Sequence, residues 1–410
     1  MLIVQKYGGS SVANADKIVN VAKRITNTFK KGNKVVVVLS AQGDVTDELL
    51  AKAAEINHEA SKRELDMLLS TGEQQSAALM AIAIHKEGYP AISLNASQVG
   101  IHATRKYGNA RIKNIETERI TAELERNNIV IVAGFQGVNR YGDITTLGRG
   151  ASDTTAVALA AVLGAALCEI YTDVDGVYTA DPRIVKNAKK IDVIGFDEML
   201  HLASLGACVL HNRAVEMAQR YRVKLVLRSS LSDADGTLIK EESKVEKVYV
   251  SGLAVDKDIA RVSVIGIFDR PGMAYQIFSL MAREKISIDL ILQAINSNTT
   301  KDITFTVPKS DLKTTLSLLE ANRSIIGFEA LSYDDKVAKL SAVGAGMASN
   351  YGIASTMFEA LYDCDVNIIM ITTSEIKISV LIAECDADKA VNAVHEKYMQ
   401  MSHFGTPNKL

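Results

Sequence analysis

Lys6, Gly8 and Gly9 lie at the end of an apolar run, in Lys6-Tyr7-Gly8-Gly9-Ser10-Ser11. Two glycines at a strand-to-helix turn let bare N–H groups approach an anion. The helix start adds partial positive charge and Lys6 a full one, so the segment reads as a phosphate cradle. An ordinary tight turn with an exposed lysine is the competing reading. The spacing is not that of the G-x-x-x-x-G-K-[ST] phosphate loop, and no G-x-G-x-x-G follows a strand. A second strand end, Ser40-Ala41-Gln42-Gly43-Asp44-Val45-Thr46-Asp47, brings hydroxyls to the edge of a sheet where ligands sit, or is a polar turn capping a helix. Thr71-Gly72-Glu73 is expected to begin a helix, where Glu73 either receives a substrate ammonium or complements the helix dipole.

The richest stretch is Thr145-Thr146-Leu147-Gly148-Arg149-Gly150-Ala151-Ser152-Asp153. Arg149 offers a planar fork for a carboxylate, and Ser152 and Asp153 could bind an ammonium or a metal, so the three suit an amino-acid zwitterion. Tyr171-Thr172-Asp173-Val174-Asp175-Gly176-Val177-Tyr178-Thr179-Ala180-Asp181-Pro182-Arg183 crowds acids, tyrosines and an arginine into one loop after a strand. It could hold the base, ribose and phosphates of a nucleotide, or be a solvated charged loop. The seven histidines show no metal spacing, and His211 reads as packed or capping.

These loops need a scaffold of strands and helices. Leu2 to Lys6, Val35 to Ser40, Ala91 to Leu94, Ile129 to Gly134, Glu169 to Thr172 and Lys224 to Arg228 are strand-length β-branched runs,. Between them lie helix-length segments such as Asn14 to Lys31, Ser70 to Glu87 and Ser152 to Leu167, the last opening on Ser-Asp-Thr-Thr as a capping run,. Their alternation predicts an α/β fold: a largely parallel sheet with helices on both faces. The pattern breaks near Ser229, and a charged stretch, 240–247, follows.

Beyond it the chain repeats itself. A shift of 80 positions lays Gly272 on Gly352, Ala274 on Ala354, Phe278 on Phe358, Ile286 on Val366 and Ile288 on Ile368. Each copy reads as a strand (Val262 to Phe268; Leu340 to Val343), a glycine turn, a helix and a second strand. The period is too long for a solenoid and implies duplicated modules.

The 410 residues are 48% hydrophobic and 23% charged, enough for more than one core and inconsistent with disorder. A net charge of −2 supplies no bulk positive field, so nucleic-acid binding is disfavoured. The N-terminus lacks the pattern of a secretory signal, and the longest apolar stretch, Ala156 to Cys168, is too short to span a membrane. Four separated cysteines, Cys168, Cys208, Cys364 and Cys385, form no C-x-x-C pair and read as buried thiols of a reducing cytoplasm.

Taken in order, the motifs resemble those of the aspartokinases, a branch of the amino-acid kinase family. K-Y-G-G-S-S is similar to their K-F-G-G-T-S signature, T-L-G-R-G-A-S-D to G-R-G-G-S-D, and Y-T-D-V-D-G-V-Y-T-A-D-P-R to their nucleotide loop. S-T-G-E, L-H-N-R-A-V-E, D-R-P-G-M-A, D-I-T-F-T, V-G-A-G-M and S-E-I-K-I-S extend the resemblance over essentially the whole chain. It implies an amino-acid kinase domain at 1–245, then two ferredoxin-like βαββαβ ACT units at 250–334 and 335–410. In that family the second unit is inserted within the first, so the segment after about Cys385 can return to complete the first sheet.

The implied reaction is ATP- and Mg²⁺-dependent phosphorylation of the aspartate side chain, the first step towards lysine, threonine and methionine, with feedback through the ACT units. Carried over position by position, Lys6, Gly8, Gly9 and Asp153 are catalytic. Ser40, Thr46, Glu73, Arg149, Ser152 and Asp153 bind aspartate. Lys6, Tyr7, Gly8, Gly9, Thr172, Asp173, Tyr178, Asp181 and Arg183 bind ATP, with Asp173 beside magnesium. Lysine, threonine or both are the implied effectors, at Asp269, Met273, Ala274, Ser287, Ile288, Asp289 and Gln293 of the first copy and Ile353, Ala354, Asn367, Ile368, Ser374 and Glu375 of the second. Ile288 and Ile368 also read as core, and Asp289 as a solvated acid. ACT sheet edges imply a homodimer or larger homo-oligomer.

Besides the conservative exchanges at Tyr7 and Ser10, three positions depart from the family pattern: Ala151 replaces a glycine, strained if φ there is positive, Asn212 stands where many members have proline, and Cys208 where some have lysine. The competing functions are an amino-acid kinase with another acceptor, such as glutamate, an acetylated amino acid or carbamate, and a non-catalytic amino-acid sensor.

Overall fold

The computed structural model describes every residue except 149, 208–209, 242–249, 296–299, 345–346, 348–351, 402–403 and 405–410. Arg149 and Cys208 therefore lie outside the described residues. Two compact units form. One comprises Met1–Tyr178, Lys190–Ser204 and Cys208–Glu246; the other comprises Thr179–Lys189, Leu205–Ala207 and Lys247–Leu410.

The first unit is built on an eight-stranded sheet. Its strands run, edge to edge, Val193–Gly195, Thr237–Lys240, Leu225–Ser229, Leu167–Thr172, Leu2–Tyr7, Lys34–Leu39, Ile129–Ala133 and Ala91–Leu94. All pair in parallel except Leu225–Ser229 with Thr237–Lys240. The unbroken apolar runs Val35–Leu39 and Ile129–Ala133 are fully buried, as a strand covered on both faces requires. Helices Ala15–Lys30 and Lys62–Lys86 cover one face, their Ile18, Ile25, Met80 and Ile84 packing on Val35, Val37, Ile129 and Ile131. The helix Ala151–Val162 is apolar after its opening Ser152-Asp153-Thr154-Thr155 and is buried from Ala151 to Ala160, as a helix inside a core must be. A separate four-stranded sheet, Ile112–Ile115, Ile101–Ala103, Gln136–Val138 and Ile144–Thr146, was not expected; three or four residues carry too little periodicity to register.

The second unit is a single six-stranded antiparallel sheet: Ile291–Ile295, Thr300–Pro308, Gly252–Phe268, Ala330–Val343, Lys377–Ala383 and Met370–Thr373. The repeat is kept in the backbone at its first helices, while the strands after them stand at a shorter offset. Helices Met273–Arg283 and Ile353–Asp363 coincide under the 80-residue shift, and both are followed by a left-handed residue, Lys285 at φ 60 and Asp365 at φ 50. Each module has its own core, one around Ile277, Met281 and Phe305, the other around Met357, Leu361 and Val380. The two central strands are long enough to serve both, so the expected strands Val262 to Phe268 and Leu340 to Val343 are only their ends. The segment after Cys385 forms helix Ala387–Met399, whose Val391, Val394 and Tyr398 enter the second core.

One further expectation, that of buried thiols, is corrected. Among the described cysteines only Cys168 is buried; Cys364 is half-buried and Cys385 exposed. No helix among the described residues is long and apolar enough to cross a membrane.

Candidate active site

Parallel strands bring Tyr7, Leu39, Ala133 and Thr172 to the same sheet edge, and the chemically capable residues follow them. After Tyr7 the chain makes a short turn, Gly9–Ser11, before the helix at Ala15. That helix is capped by the Asn14 side chain, which accepts from Lys17 N at 3.0 Å. The long helix thus starts seven residues after Gly8 and not at the glycine turn itself. The turn is held tightly: Gly8 N donates to Tyr171 O at 3.2 Å and Gly43 N to Gly9 O at 3.1 Å. A Cβ on Gly9 would lie 2.6 Å from Ala41 O, so only glycine fits.

Lys6 Nζ lies 2.7 Å from Asp153 Oδ1, with the two side chains 12% and 9% exposed. Asp153 Oδ2 accepts from His211 N at 3.4 Å. Ser152 and Asp153 are the second and third residues of the helix, whose cap is Gly150 at φ 70 with no side-chain hydrogen bond. Ser-Asp-Thr-Thr thus lies inside the helix and is not its cap. Ser152 approaches the sheet because residue 134 is glycine: a Cβ there would come within 2.7 Å of Ser152 Oγ and 2.9 Å of Leu39 O.

Glu73 lies in the middle of helix Lys62–Lys86, not at a helix start, so the dipole reading fails. It is buried, its Oε1 accepts from Ala41 N at 3.1 Å, and its Oε2 has no partner. Burial pushes its carboxyl up to about 7, against the lowering effect of the Ala41 N–H, as desolvation does to an acid. Gly72 allows this contact, since a Cβ there would be 2.8 Å from Ala41 Cβ. Ser40, half-buried, donates its backbone N–H to Tyr7 O at 3.2 Å, and Thr46 is in the first turn of helix Val45–Ile56.

On the other side, Thr172 Oγ1 donates to Asp173 Oδ1 at 2.9 Å and Tyr178 OH to Asp175 Oδ1 at 2.8 Å. Asp181 and Arg183 belong to the second unit, where Arg183 Nε and Nη2 both donate to Asp181, at 2.7 to 3.1 Å. Tyr7, an expected nucleotide contact, is fully buried. Its ring stacks on Tyr171 with centroids 4.5 Å apart, so its side chain supports the turn from within and only its backbone can face a ligand. No group of three metal-ligating side chains exists among the described residues. Asp173 is exposed and can offer one carboxylate oxygen, which fits Mg²⁺, an ion that keeps waters and takes phosphate oxygens.

Several residues that shape this region escaped the sequence reading. Asp66, buried in helix Lys62–Lys86, accepts from Gly108 N at 2.9 Å, Thr146 N at 2.9 Å and Thr146 Oγ1 at 2.6 Å. Arg213 Nη1 donates to Leu147 O at 2.7 Å and Nη2 to Ala110 O at 3.3 Å. Together they fix the approach to Gly148. Ser230 joins two strand ends, donating from N and Oγ to Thr172 O at 2.8 and 3.1 Å and accepting from Ser11 Oγ at 2.7 Å. Isolated polar residues in helices and strand ends give no periodic signal; only the buried setting of Asp66 reveals its part.

The departures from the family pattern are benign where described. Positive φ falls on Gly148 and Gly150, at 91 and 70, and not on Ala151. Asn212 is the first residue of helix Asn212–Tyr221, a position that also suits proline.

In the second unit the candidate effector residues separate. Met273 and Ile353 begin corresponding helices and are buried, while Ile288 and Ile368 pack against the two cores. Ile353, Ala354 and Ser374 line one cavity; Ser287, Gln293, Asn367 and Glu375 are exposed outside it.

Residues 1–229 match the amino acid kinase family, and residues 262–322 and 340–398 match an ACT domain. The aspartokinase of Corynebacterium efficiens is 51% identical over 403 residues, 97% of this chain and 96% of that one. Aspartokinase 2 of Bacillus subtilis is 47% identical over 403 residues, 98% of each. Among solved structures, E. coli aspartokinase III in complex with aspartate and ADP superposes with a TM-score of 0.82 at 25% identity, covering 98% of this chain and 100% of that one. The same enzyme with lysine and aspartate gives 0.76 at 25% identity, covering 96% and 99%. A kinase-type sheet carrying a lysine and acid at its glycine turn, followed by a duplicated ACT module and matched by near-full-length relatives of one kind, places the chain among the aspartokinases, within the amino acid kinase family.

Proposed function

We propose that this aspartokinase joins the side-chain carboxylate of L-aspartate to the γ-phosphorus of ATP at the glycine turn, with Lys6 as the charge-stabilising residue. The carboxylate has an ordinary pKa of about 3.9 and is already ionised at neutral pH, so no general base is needed. One carboxylate oxygen bonds to the γ-phosphorus as the bond to the β,γ-bridging oxygen breaks, and ADP leaves with the electron pair. Catalysis then consists of holding two anions in line and cancelling their repulsion. The carrying observation is the Lys6–Asp153 pair at 2.7 Å, which fixes the ammonium beside the bare backbone of Gly8, where a Cβ would lie 3.6 Å from Lys6 Nζ.

Glu73 and Asp153 take the ammonium of aspartate, Arg149 its α-carboxylate, and Ser40, Thr46 and Ser152 complete the pocket. Thr172, Asp173 and Tyr178 hold the nucleotide. Mg²⁺, when bound, supplies neutralisation of phosphate charge; Asp173 is its proposed protein ligand. Lysine, threonine or both act as effectors on the ACT units, in a homo-oligomer assembled through ACT sheet edges. The proposed location is the cytoplasm, where the free thiols of Cys168, Cys364 and Cys385 stay reduced.

The test is ADP production from Mg-ATP with aspartate or glutamate as acceptor, alone and with lysine, threonine or both. Turnover with aspartate, suppressed by one or both amino acids, is expected. Turnover with glutamate alone would reassign the acceptor. Effector binding by a folded protein with no turnover would leave an amino-acid sensor.

A further inference from the structure

Among the candidate effector positions of the first ACT unit, only Asp269 and Asp289 are anionic, and each faces an ammonium of this same chain. Lys301 Nζ is 2.9 Å from Asp269 Oδ1, with the lysine side chain 11% exposed. This contact is no accident of a loose side chain: Lys301 pairs in register with Ile267 in the strand that ends at Phe268, one residue before Asp269. Asp289 is paired with Lys339, whose side chain is 3% exposed and also lies 3.5 Å from Asp256. Lys377 stands 3.7 Å from the other oxygen of Asp289.

The second unit is built differently. The 80-residue shift, which the two helices obey, puts Ser349 opposite Asp269 and Ile369 opposite Asp289. The second unit therefore lacks both of these acids. It has instead a cavity of about 390 Å³ lined by Met347, Ile353, Ala354, Thr373, Ser374 and Ile378, apolar and hydroxyl groups with no ionised side chain among them.

We propose that Lys301 fills the ammonium position of the first ACT unit from within the chain, closing that unit to a free amino acid and confining effector binding to the second unit's cavity. The inference rests on the reading of Asp269 as the first unit's ammonium acceptor. A tethered ammonium competes at an effective concentration of roughly millimolar or above. A free α-amino acid must reach comparable concentrations to displace it, and must also leave Lys301 without its partner in a nearly buried position. The lining of the second cavity suits an effector with a small uncharged side chain, its ammonium and carboxylate met by hydroxyls and backbone.

Calorimetric titration of the full-length protein with L-threonine and with L-lysine, beside steady-state inhibition, tests this. Three variants are compared: Lys301→Met, which keeps the aliphatic stem, Ala354→Phe, which fills the second cavity, and Lys301→Met combined with Asp269→Asn. Uninhibited kcat and the melting temperature serve as checks on folding. The expected result is one equivalent bound per wild-type chain, lost in Ala354→Phe. Lys301→Met gains a second equivalent, or binds at least about fivefold tighter, within the range of ordinary coupling effects. Two equivalents in the wild type, or no added site and no tightening in Lys301→Met, would overturn the proposal. A gain in Lys301→Met that survives Asp269→Asn would show that Asp269 is not the acceptor and would overturn the proposal as well. No binding to any variant would remove the effector reading and the proposal with it.

Discussion

The Lys6 ammonium and the Asp153 carboxylate, 2.7 Å apart, tie the first strand of the sheet to the opening turn of its most buried helix. One member of the pair is reached from the strand Leu2–Tyr7 and the other from the helix Ala151–Val162, so the glycine turn and the substrate loop cannot drift apart without breaking it. Asp153 also fixes the direction of Lys6, which leaves the ammonium in place before any phosphoryl group arrives. Such preorganised charge accounts for much of catalysis in a site that needs no proton transfer.

Lys6→Ala should therefore lower kcat by about 10² to 10³, the cost of removing one preorganised donor, with a smaller change in the KM for aspartate. Steady-state kinetics with both substrates varied will separate the two. An unchanged kcat would remove Lys6 from the reacting centre.

Glu73 gives the site a pH response of definite sign. Its carboxyl titrates at about 7 because it is buried, whereas the aspartate ammonium stays protonated through that range. If the ionised Glu73 receives that ammonium, the KM for aspartate falls as pH rises from about 6 to 8 and levels off above it. Glu73→Gln should raise KM at pH 8 by about tenfold or more, the loss of one charge-assisted hydrogen bond, and flatten the profile. A wild-type KM independent of pH between 6 and 8 would refute the assignment.

Ala151 is fully buried and packs with Leu69, Ala103, Phe135 and Leu147. It takes ordinary helical φ while the neighbouring glycines carry the left-handed turns. Restoring the family glycine with Ala151→Gly should thus destabilise the protein by about 1 kcal/mol, through helix propensity and lost packing. No gain in kcat should accompany it. Thermal denaturation and turnover of the same preparation will check both statements.

Much of this organisation was legible in the residues. β-Branched runs such as Val35–Leu39 and Ile129–Ala133 announce buried parallel strands. The offset between Gly272 and Gly352 announces the duplicated module down to the left-handed residues after its two helices. What escaped has physical causes. Glu73 reads as a helix start because Gly72 looks like punctuation, yet that glycine is there to let a continuous helix touch Ala41. The sharing of two long strands between modules is a tertiary choice, since each half of Gly252–Phe268 alternates correctly for either core. The split of the loop after Thr172, with Thr179–Lys189 joining the second unit, depends on packing partners more than 200 positions away in sequence.

That last segment carries its own prediction. Thr179 Oγ1 and His395 Nε2 share a buried hydrogen bond of 2.9 Å, Asn392 Nδ2 donates to Ile184 O at 3.3 Å, and Ala180 and Val185 enter the second unit's core. Burial holds the His395 pKa below its ordinary 6.5, with Lys189 adding to the effect. The unfolded chain therefore takes up a proton near pH 6.5 that the folded imidazole still refuses. The stability contributed by neutral His395 is complete above pH 6.5 and is lost progressively as pH falls through 6.5 towards the lowered value. His395→Gln, which keeps a hydrogen-bonding group and cannot titrate, should weaken this loss. Melting temperatures of the two proteins between pH 5 and 8 should converge on acidification, the wild type dropping the faster; parallel curves would show that the His395 proton plays no part in holding the segment.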